Sequence, residues 1–449
     1  MLLTEKDAKA ITERVMSFVK ADDAIVNVSS ENYAHQRFAA NAFTTGGKRE
    51  GMNVGVTVWV DKKRGASSTT ETDESALRAT VEQAEQLARL SPVDREYLPT
   101  LSQQTYKPAS GFSEATANVT TAERARVVDD VLKACERANV TGAGLYQTQA
   151  AAGASRTKNG NFYFERASLV SLGLTARTRE GDGSGYFLRN HYDVRRLDAA
   201  RVAREAIQKG LNSRNPRTID PGVYPVILEP QAVADLLSFF AFSFDARSAE
   251  EGRSPFSAIG GKTKMGEKIF DERLNVYSDP QNAELPGSQS AQGGLPSQKI
   301  YLVRNGVLEN LTYSRFWASQ KGVQPTAGPV NNIMEGASGG ASVDEMIRAT
   351  PRGLLLSRFW YIRSVDPRTA LVTGLTRDGV WFIENGRISY PVRNFRFNQS
   401  VIQMLAPGNV EMIGRPERVG SSEAQGSSAA LLPALKLKAF NFTSQSEAV

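Results

Sequence analysis

The chain has 449 residues, a length that favours two domains over one hydrophobic core, and its 41% hydrophobic and 23% charged residues are typical of a globular protein. No apolar run approaches the roughly 18 residues of a membrane span, and the polar residues at positions 4–7 argue against a secretory signal, so we expect a cytoplasmic protein without a membrane partner. The 54 basic and 48 acidic residues form no long block of one sign, which argues against nucleic-acid binding.

Apolar residues at helical spacing predict three helices in the first third of the chain. The first spans residues 5–20, the second follows Asp73 and the third follows Thr120 or Thr121, since Asp and Thr both favour N-cap positions. Residues 24–28, 38–43 and 52–60 are predicted strands, residues 62–72 a polar loop, and the proline-containing residues 91–118 an extended connection.

Strands dominate the next segment. Two long strands within residues 144–178 flank Asn159-Gly160, which predicts a type I′ hairpin turn. The glycine cluster at residues 181–185 lacks the full context of a phosphate-binding loop, which is a strand before it, a helix start after it and usually a Lys-Ser/Thr pair, so we interpret it as a turn or a flexible loop beside a strand. Residues 198–211 are a fourth predicted helix.

A proline-rich stretch at residues 216–225 is the strongest candidate domain boundary. The chain is therefore divided into an N-terminal α/β domain, residues 1–220, and a β-rich C-terminal domain, residues 221–449, for an overall α+β class. The first is predicted as an α/β sandwich with a mainly antiparallel sheet. In the second, residues 226–228 are a predicted strand, residues 231–244 a helix, and residues 279–298 a polar loop long enough to surround an active site.

Residues 353–398 predict stacked antiparallel hairpins, because apolar strands alternate there with turn signals. Asn385-Gly386, like Asn305-Gly306 earlier in the domain, predicts a type I′ turn, and Arg377-Asp378-Gly379 predicts a further turn. The aromatic row Phe359, Trp360 and Tyr361 is a candidate contact for substrate or for another subunit, although a packed core is the commoner fate of such a row. A last strand is predicted at residues 435–442.

Few residues can carry metal or nucleophilic chemistry. The only cysteine, Cys135, falls on the apolar face of the third helix and is predicted to be buried. The only histidines, His35 and His191, both lie in the N-terminal half, and neither has a second His at metal spacing. Four carboxylates cluster in the second domain and could form an acid/base or cation site, the alternative being a solvated surface: Asp235, Asp245, Glu250 and Glu251.

Five segments, taken together in their order and spacing, resemble the TldD/PmbA family over nearly the full length. They are residues 260–269, 326–332, 343–353, 381–392 and 435–438. The resemblance implies an α/β domain followed by a β-rich domain, and a metalloprotease activity on peptides and flexible proteins that is divided between paired subunits. One type of subunit carries zinc on an HExxxH helix with a late cysteine as third ligand, the glutamate taking a proton from the zinc-bound water.

The chain departs from this motif at each ligand. Glu229 and Ala234 stand at the two histidine positions, Pro230 stands at the glutamate position, and residues 420–428 contain no cysteine. The sequence therefore resembles the PmbA (TldE) side of the pair, the side without metal. The resemblance implies no cofactor in this chain and zinc in a TldD-like partner.

The sequence leaves three functions open. The leading hypothesis is a non-catalytic subunit that shapes a chamber and helps to hold an unfolded peptide while a zinc-bearing partner cuts it. The alternative is an active peptidase or other hydrolase with a substitute site in the same groove. A third hypothesis is a peptide-binding protein that acts alone, as a homodimer.

Overall fold

The computed structural model describes residues 2–337, 339–420 and 429–446. The helices are α1 Glu5–Phe18, α2 Glu74–Leu90, α3 Glu114–Ala117, α4 Thr121–Arg137, α5 Ala199–Asn212, α6 Pro230–Ser238, α7 Ala246–Glu250, α8 Arg315–Lys321, α9 Val343–Arg348 and α10 Val401–Met404. Strands of the N-terminal part are β1 Asp23–Ala39, β2 Ala42–Val60, β3 Lys63–Thr69, β4 Val140–Thr157, β5 Phe162–Thr178 and β6 Ser184–His191. Strands of the C-terminal part are β7 Gly222–Leu228, β8 Ser257–Ala258, β9 Lys262–Thr263, β10 Leu274–Ser278, β11 Ile300–Arg304, β12 Val307–Leu308, β13 Asn332–Gly336, β14 Arg352–Asp366, β15 Leu371–Glu384, β16 Arg387–Pro391, β17 Phe395–Ser400, β18 Val410–Ile413, β19 Glu417–Gly420, β20 Ala429–Leu432 and β21 Leu435–Gln445.

The N-terminal part is one six-stranded antiparallel sheet in the order β3-β2-β1-β4-β5-β6. Helices α1 and α2 pack on one half of a sheet face and α4 and α5 on the other half. Three of these helices begin where the sequence predicts, because Asp73, Thr120 and Asp198 each accept a hydrogen bond from the first turn of the helix that follows. None of the described helices combines the length and the apolar character that crossing a membrane requires.

The predicted strands are too short in this sheet, and one predicted loop is wrong. Residues 24–28 and 38–43 do not form two separate strands, because β1 runs unbroken through the polar residues between them and turns at Ala40 and Asn41, both at positive φ. The polar residues 62–72 contain β3, which pairs with β2 at the sheet edge. Polar strands of this kind carry no apolar alternation, so hydrophobic periodicity misses them.

The glycine cluster at residues 181–185 is a turn that leads into β6, as predicted. Its last glycine has a packing role. A Cβ added at Gly185 would lie 2.2 Å from the backbone nitrogen of Gly210 and 2.6 Å from Cβ of Lys209, both on α5. Gly185 therefore allows α5 to lie directly on β6.

The C-terminal part contains a closed ring of five strands, β14-β7-β21-β17-β15, in which β15 pairs back with β14. Its interior is filled with aromatic side chains, including Phe359, Phe397 and Phe440. A second, six-stranded sheet has the order β12-β11-β10-β13-β20-β19, and α6 packs against strands of both sheets. The N-terminal sheet uses residues up to His191. The two large C-terminal sheets and the two-stranded sheet β8-β9 use residues from Gly222 onward, while the division at residue 220 stays a prediction.

Turn predictions have mixed outcomes in the two parts. Asn305-Gly306 and Asn385-Gly386 have positive φ at both residues, as type I′ turns require, whereas at Asn159-Gly160 only the glycine does. Arg377-Asp378-Gly379 is not a turn: it lies within β15 and forms a bulge opposite β14. The predicted helix at residues 231–244 ends at Ser238, and a 3-10 turn, Ala241–Phe244, follows.

Candidate functional site

The stretch that the resemblance assigns to the family motif, Glu229 to Ala234, begins where β7 ends and α6 starts. Glu229 and Pro230 lie on the wall of a cavity of about 810 Å³ between the two parts of the chain. Lys209 and Phe187 line it from the N-terminal part, and Glu229, Pro230 and Trp381 line it from the C-terminal part. Basic and acidic side chains also line the wall, among them Arg189, Arg201, Glu205, Asp344, Arg348, Arg415 and Glu417. The cavity can therefore offer hydrogen bonds and both signs of charge to a polar ligand.

Glu229 is held by a lysine from the other part of the chain. The Lys209 ammonium pairs with the Glu229 carboxylate and donates a 2.9 Å hydrogen bond to Oγ of Ser357, which in turn donates to Glu229 at 3.2 Å. The Lys209 and Glu229 side chains are only 11% and 17% exposed. These three side chains, the Lys209–Glu229–Ser357 cluster, close a triangle that joins α5 to the start of α6 and to β14.

The polar side of α6 is engaged in structural hydrogen bonds. Asp235 accepts from the amide of Gln231 at 3.0 Å and from the backbone nitrogen of Phe359 at 3.0 Å. Gln231 also donates to the carbonyl oxygen of Gly420 at 2.9 Å. Ala234 faces the other way, into a small apolar cavity of about 130 Å³. The motif helix thus ties β14 to the end of β19.

A second charged cluster lies beneath the β15 bulge. Arg358 donates to Asp378 from Nε at 2.7 Å and from a second guanidinium nitrogen, and the Ser184 hydroxyl of β6 donates to the same carboxylate. The Arg358 guanidinium lies 3.8 Å from the centroid of the Tyr186 ring. Burial raises the pKa of Asp378, but Arg358 and Ser184 outweigh it and hold this pKa below its ordinary value.

The other carboxylates singled out in the sequence do not converge on one site. Asp245 caps α7 by accepting from the backbone of Ser248 at 2.7 Å, and Glu251 pairs with Arg247. Glu250 accepts from Tyr313, Trp317 and Lys321 at 2.8, 3.0 and 2.6 Å. Burial raises the pKa of Glu250, yet these donors lower it overall. Each carboxylate therefore has its own structural partners.

The single cysteine and the two histidines also lie on separate elements. Cys135 is fully buried on α4, as predicted, and burial raises the pKa of its thiol to about 11. His35 lies on β1 beside Tyr33, with ring centroids 5.5 Å apart, and His191 lies at the end of β6. Among the residues that the structure describes, no three His, Cys, Asp or Glu side chains form a group that could hold a metal ion.

The residues at the motif position do not fit zinc. Pro230 and Ala234 have no donor atom, and the Glu229 carboxylate already neutralises Lys209. The late-cysteine position falls in residues 420–428, of which 421–428 lie outside the described residues. The stretch from Glu229 to Ala234 therefore lacks the donor set that a zinc site requires.

The three aromatic residues of the row on β14 differ in exposure. Phe359 is completely buried in the ring of strands, whereas Tyr361 is 58% exposed at a bulge in β14 and has a φ of 55°. Only Trp360 and Tyr361 of this row can therefore contact another molecule, and that role stays a prediction. The predicted active-site loop, residues 279–298, hydrogen-bonds to β5 through Ser288 and Glu165 at 2.8 Å.

Sequence reasoning missed the cationic members of both clusters. Lys209 lies seven residues after Val202 on the buried stripe of α5, and a charged residue on such a stripe is a usable signal. Ser357-Arg358 likewise interrupts an apolar run in β14. Their partners could not be identified, because each lies on an element distant in sequence.

Comparisons with known proteins agree with this architecture. The profile described as the PmbA/TldA metallopeptidase C-terminal domain matches residues 221–444, and the one described as PmbA/TldA metallopeptidase domain 1 matches residues 26–88. Two crystal structures share the fold: TldE from Thermococcus kodakarensis, with a TM-score of 0.86 at 18% identity over 97% of this chain and 99% of that one, and a proposed modulator of a DNA gyrase from Thermotoga maritima, with a TM-score of 0.84 at 16% identity over 97% of this chain and 100% of that one.

Two curated relatives match over shorter stretches. A protein described as a metalloprotease TldD homolog, from Buchnera aphidicola, is 23% identical over 261 residues, 54% of this chain and 52% of that protein. An uncharacterized protein from Methanocaldococcus jannaschii is 29% identical over 147 residues, 32% of this chain and 33% of that protein. The matches thus span a third to a half of these relatives. With both family profiles matched in order along a chain of this fold, the protein belongs to the PmbA/TldD metallopeptidase family.

Proposed function

We propose that this chain is the metal-free subunit of a heteromeric PmbA/TldD-type metallopeptidase that acts on peptides and flexible proteins in the cytoplasm. A TldD-like partner would carry the zinc and the chemistry. This chain would contribute a wall of the chamber and help to hold the substrate. The family assignment and the fold similarity to TldE support the proposal.

One observation carries the proposal most directly. Glu229, Pro230 and Ala234 stand where the family resemblance implies the zinc motif, and Lys209 neutralises the one carboxylate among them. A zinc peptidase needs several ligands and a base that is free to accept a proton from the bound water. This triplet offers neither.

The Lys209–Glu229–Ser357 cluster also fails to provide a substitute nucleophile. A serine activated by lysine needs a neutral amine as base and an accessible hydroxyl. Here the Lys209 amine is paired with the Glu229 carboxylate, and Ser357 is only 1% exposed. The geometry therefore favours a structural role for the cluster.

The test compares three preparations: this chain alone, an HExxxH-bearing relative alone, and the two co-expressed. Each is assayed for cleavage of peptides and of an unfolded protein, with and without a chelator, and for zinc by mass spectrometry. We expect zinc only where the HExxxH subunit is present and the highest activity in the complex. As a control, Gln in place of the motif glutamate in that subunit should abolish cleavage by the complex. Chelator-sensitive cleavage by this chain alone would contradict the proposal.

A further inference from the structure

A second cavity, of about 400 Å³, lies on the N-terminal sheet where that sheet meets β14. Strands β1, β4, β5 and β6 form its floor, and Arg358 and Trp360 of β14 form one wall. It shares no lining residue with the cavity at Glu229. Its volume is within the range of sites that bind small molecules or the end of a chain.

Two hydrogen-bond donors of this cavity have no partner among the described residues. Tyr186 is only 8% exposed, and its hydroxyl lies over the cavity floor, 3.6 Å from where a Cβ at Gly173 would be, without a hydrogen bond. Burial raises the pKa of Tyr186, so the hydroxyl keeps its proton and can donate it. Arg37, on β1, forms no ion pair and no side-chain hydrogen bond in the same part of the structure. A largely buried donor without an acceptor indicates that a ligand completes the site.

The charge of the cavity favours an anion. Arg37 and Arg358 line it, and no acidic residue does so among the described residues. The nearby Asp378 is shared, because Arg358 donates to it at 2.7 Å and Arg377 lies 3.7 Å from it. The Arg377 guanidinium also lies 5.5 Å from the centroid of the Trp360 ring. One carboxylate thus serves two guanidiniums, and Arg37 has none.

The rest of the lining is largely apolar, which argues for an organic anion. Leu145, Leu188 and Trp360 supply this surface, and Gly144 and Gly173 keep the floor free of side chains. Inorganic phosphate would leave the apolar surface in contact with water, whereas an anion that carries an apolar group would bury it.

We propose that this cavity binds the C-terminal carboxylate of a peptide that ends in an apolar residue. The carboxylate accepts hydrogen bonds from Arg37 and from the Tyr186 hydroxyl, and the apolar side chain lies against Trp360 and Leu188. A guanidinium suits this role because its planar fork matches the geometry of a carboxylate. The choice of a peptide rests on the proposed function, since a subunit that holds peptides meets their ends.

Calorimetric titration of this chain alone tests the choice of ligand. We expect acetyl-Ala-Ala-Leu with a free carboxylate to bind with a dissociation constant below about 1 mM, and its amide to bind about tenfold more weakly or worse. Acetyl-Ala-Glu-Leu amide moves the negative charge to an internal side chain and should bind as weakly as the first amide. Inorganic phosphate should bind less tightly than the free acid.

Variants that remove one donor at a time test the residues. Arg37→Met and Tyr186→Phe should each raise the dissociation constant of the free acid about tenfold and that of the amide by less than about twofold. In the double variant the preference for the free acid should disappear, a result that a merely structural role would not produce. Arg64→Met is the matched control, because Arg64 is exposed on β3 of the same sheet and lies outside the cavity. Thermal unfolding of each variant shows that the fold is intact.

Three results would overturn the proposal: a free acid that fails to bind below about 1 mM or binds no better than its amide, phosphate that binds more tightly than the free acid, or equal losses of affinity in Arg64→Met and Arg37→Met. These titrations contain no zinc-bearing partner. They can therefore fail while the co-expression test succeeds, and the two proposals are distinguishable.

Discussion

Glu229 shows how one residue can be kept for structure at a position where the family resemblance implies chemistry. It is the N-cap residue of α6, where the helix dipole favours an anion, yet its side chain makes no capping hydrogen bond. The carboxylate reaches instead to Lys209 on α5. A buried ion pair of this kind contributes little net stability, but removing one partner leaves an uncompensated charge. The pair therefore mainly fixes the position of α5 relative to the start of α6.

Replacing Lys209 with Met should destabilise the chain by about 3 kcal/mol, because the Glu229 carboxylate would remain largely buried without its cation. Urea unfolding monitored by tryptophan fluorescence measures the change. Lys133→Met is the matched control: Lys133 pairs with Asp129 on the surface of α4, with side chains 57% and 43% exposed, and its loss should change stability by less than about 0.5 kcal/mol. Lys209→Met/Glu229→Gln should recover part of the loss. Equal losses of stability in Lys209→Met and Lys133→Met would show that the cluster does not hold α5 to α6.

His191 should make stability depend on pH near neutrality. Burial, followed by the nearby Arg418, lowers its pKa below 6.5, and its Nδ1 accepts a 2.9 Å hydrogen bond from the backbone of Asp193, which protonation would break. The unfolded chain therefore takes up the proton first as the pH falls. Stability should be fully present above about pH 6.5 and decrease between that pH and the lower folded-state pKa.

Urea unfolding at intervals from pH 7.5 to pH 5 measures this dependence. The His191→Gln variant should lose the part of the slope that comes from His191, whereas His35→Gln keeps it. An unchanged slope in His191→Gln would contradict the assignment of this titration.

At the scale of elements, the helices and strands that carry their own sequence pattern were predicted, and those that depend on pairing with a neighbour were not. Helices with a buried stripe and an N-cap, such as α2 and α4, were predicted close to their observed starts. Polar strands such as β3 were not, because their stability comes from pairing with a neighbour and not from their own pattern. Asp378-Gly379 carries the signature of a turn, but β14 continues opposite it and makes it a bulge that directs Asp378 inward.

The sequence indicates where to look for the candidate site but not which side chains meet there. The family resemblance implies the motif just after the strand that ends at Leu228, and that placement stays a prediction. Lys209, Ser357 and Asp378 come from other elements, and their convergence depends on how α5 docks on β6 and on the β15 bulge. Such tertiary contacts have no counterpart in local sequence patterns.

Gly185→Ala tests the docking of α5. The added methyl group would overlap the backbone of α5 at Gly210 and Ala206 and the Cβ of Lys209, so the helix must move away from β6. We expect a loss of stability of about 2–3 kcal/mol. Adding Lys209→Met to this variant should cost less than it does in the wild-type chain, because the movement of α5 has already disturbed the Lys209–Glu229 pair. Gly181→Ala, in the same turn, has open space around the new methyl group and only its φ of 77° to oppose it, so it should cost about 1 kcal/mol. Equal costs at both sites would contradict close packing at Gly185.

At the scale of the whole molecule, many of the links between the two parts of the chain near the cavity are polar. Besides the two charged clusters, the indole of Trp381 donates to the carbonyl oxygen of Asn212 at 3.0 Å. Glu417 on β19 accepts from Arg189 at 2.6 Å and from Arg201 at 3.2 Å. Polar links require defined geometry, so they set the position of the two parts relative to each other more than they add stability. The shape of the cavity depends on that position.

Glu417→Gln should weaken the coupling between the two parts. Arg189 is 15% exposed in its side chain and would lose its carboxylate, at a cost of about 2 kcal/mol, whereas Arg201, at 43%, can turn to water. We expect the unfolding transition to broaden or split, with the mismatch between fluorescence and circular dichroism that marks loss of two-state behaviour. Glu114→Gln, which removes the exposed partner of Arg166 within the first sheet region, should leave a single transition. If Glu417→Gln lowers the midpoint without broadening, the two parts unfold as one unit and Glu417 stabilises the whole without coupling its halves.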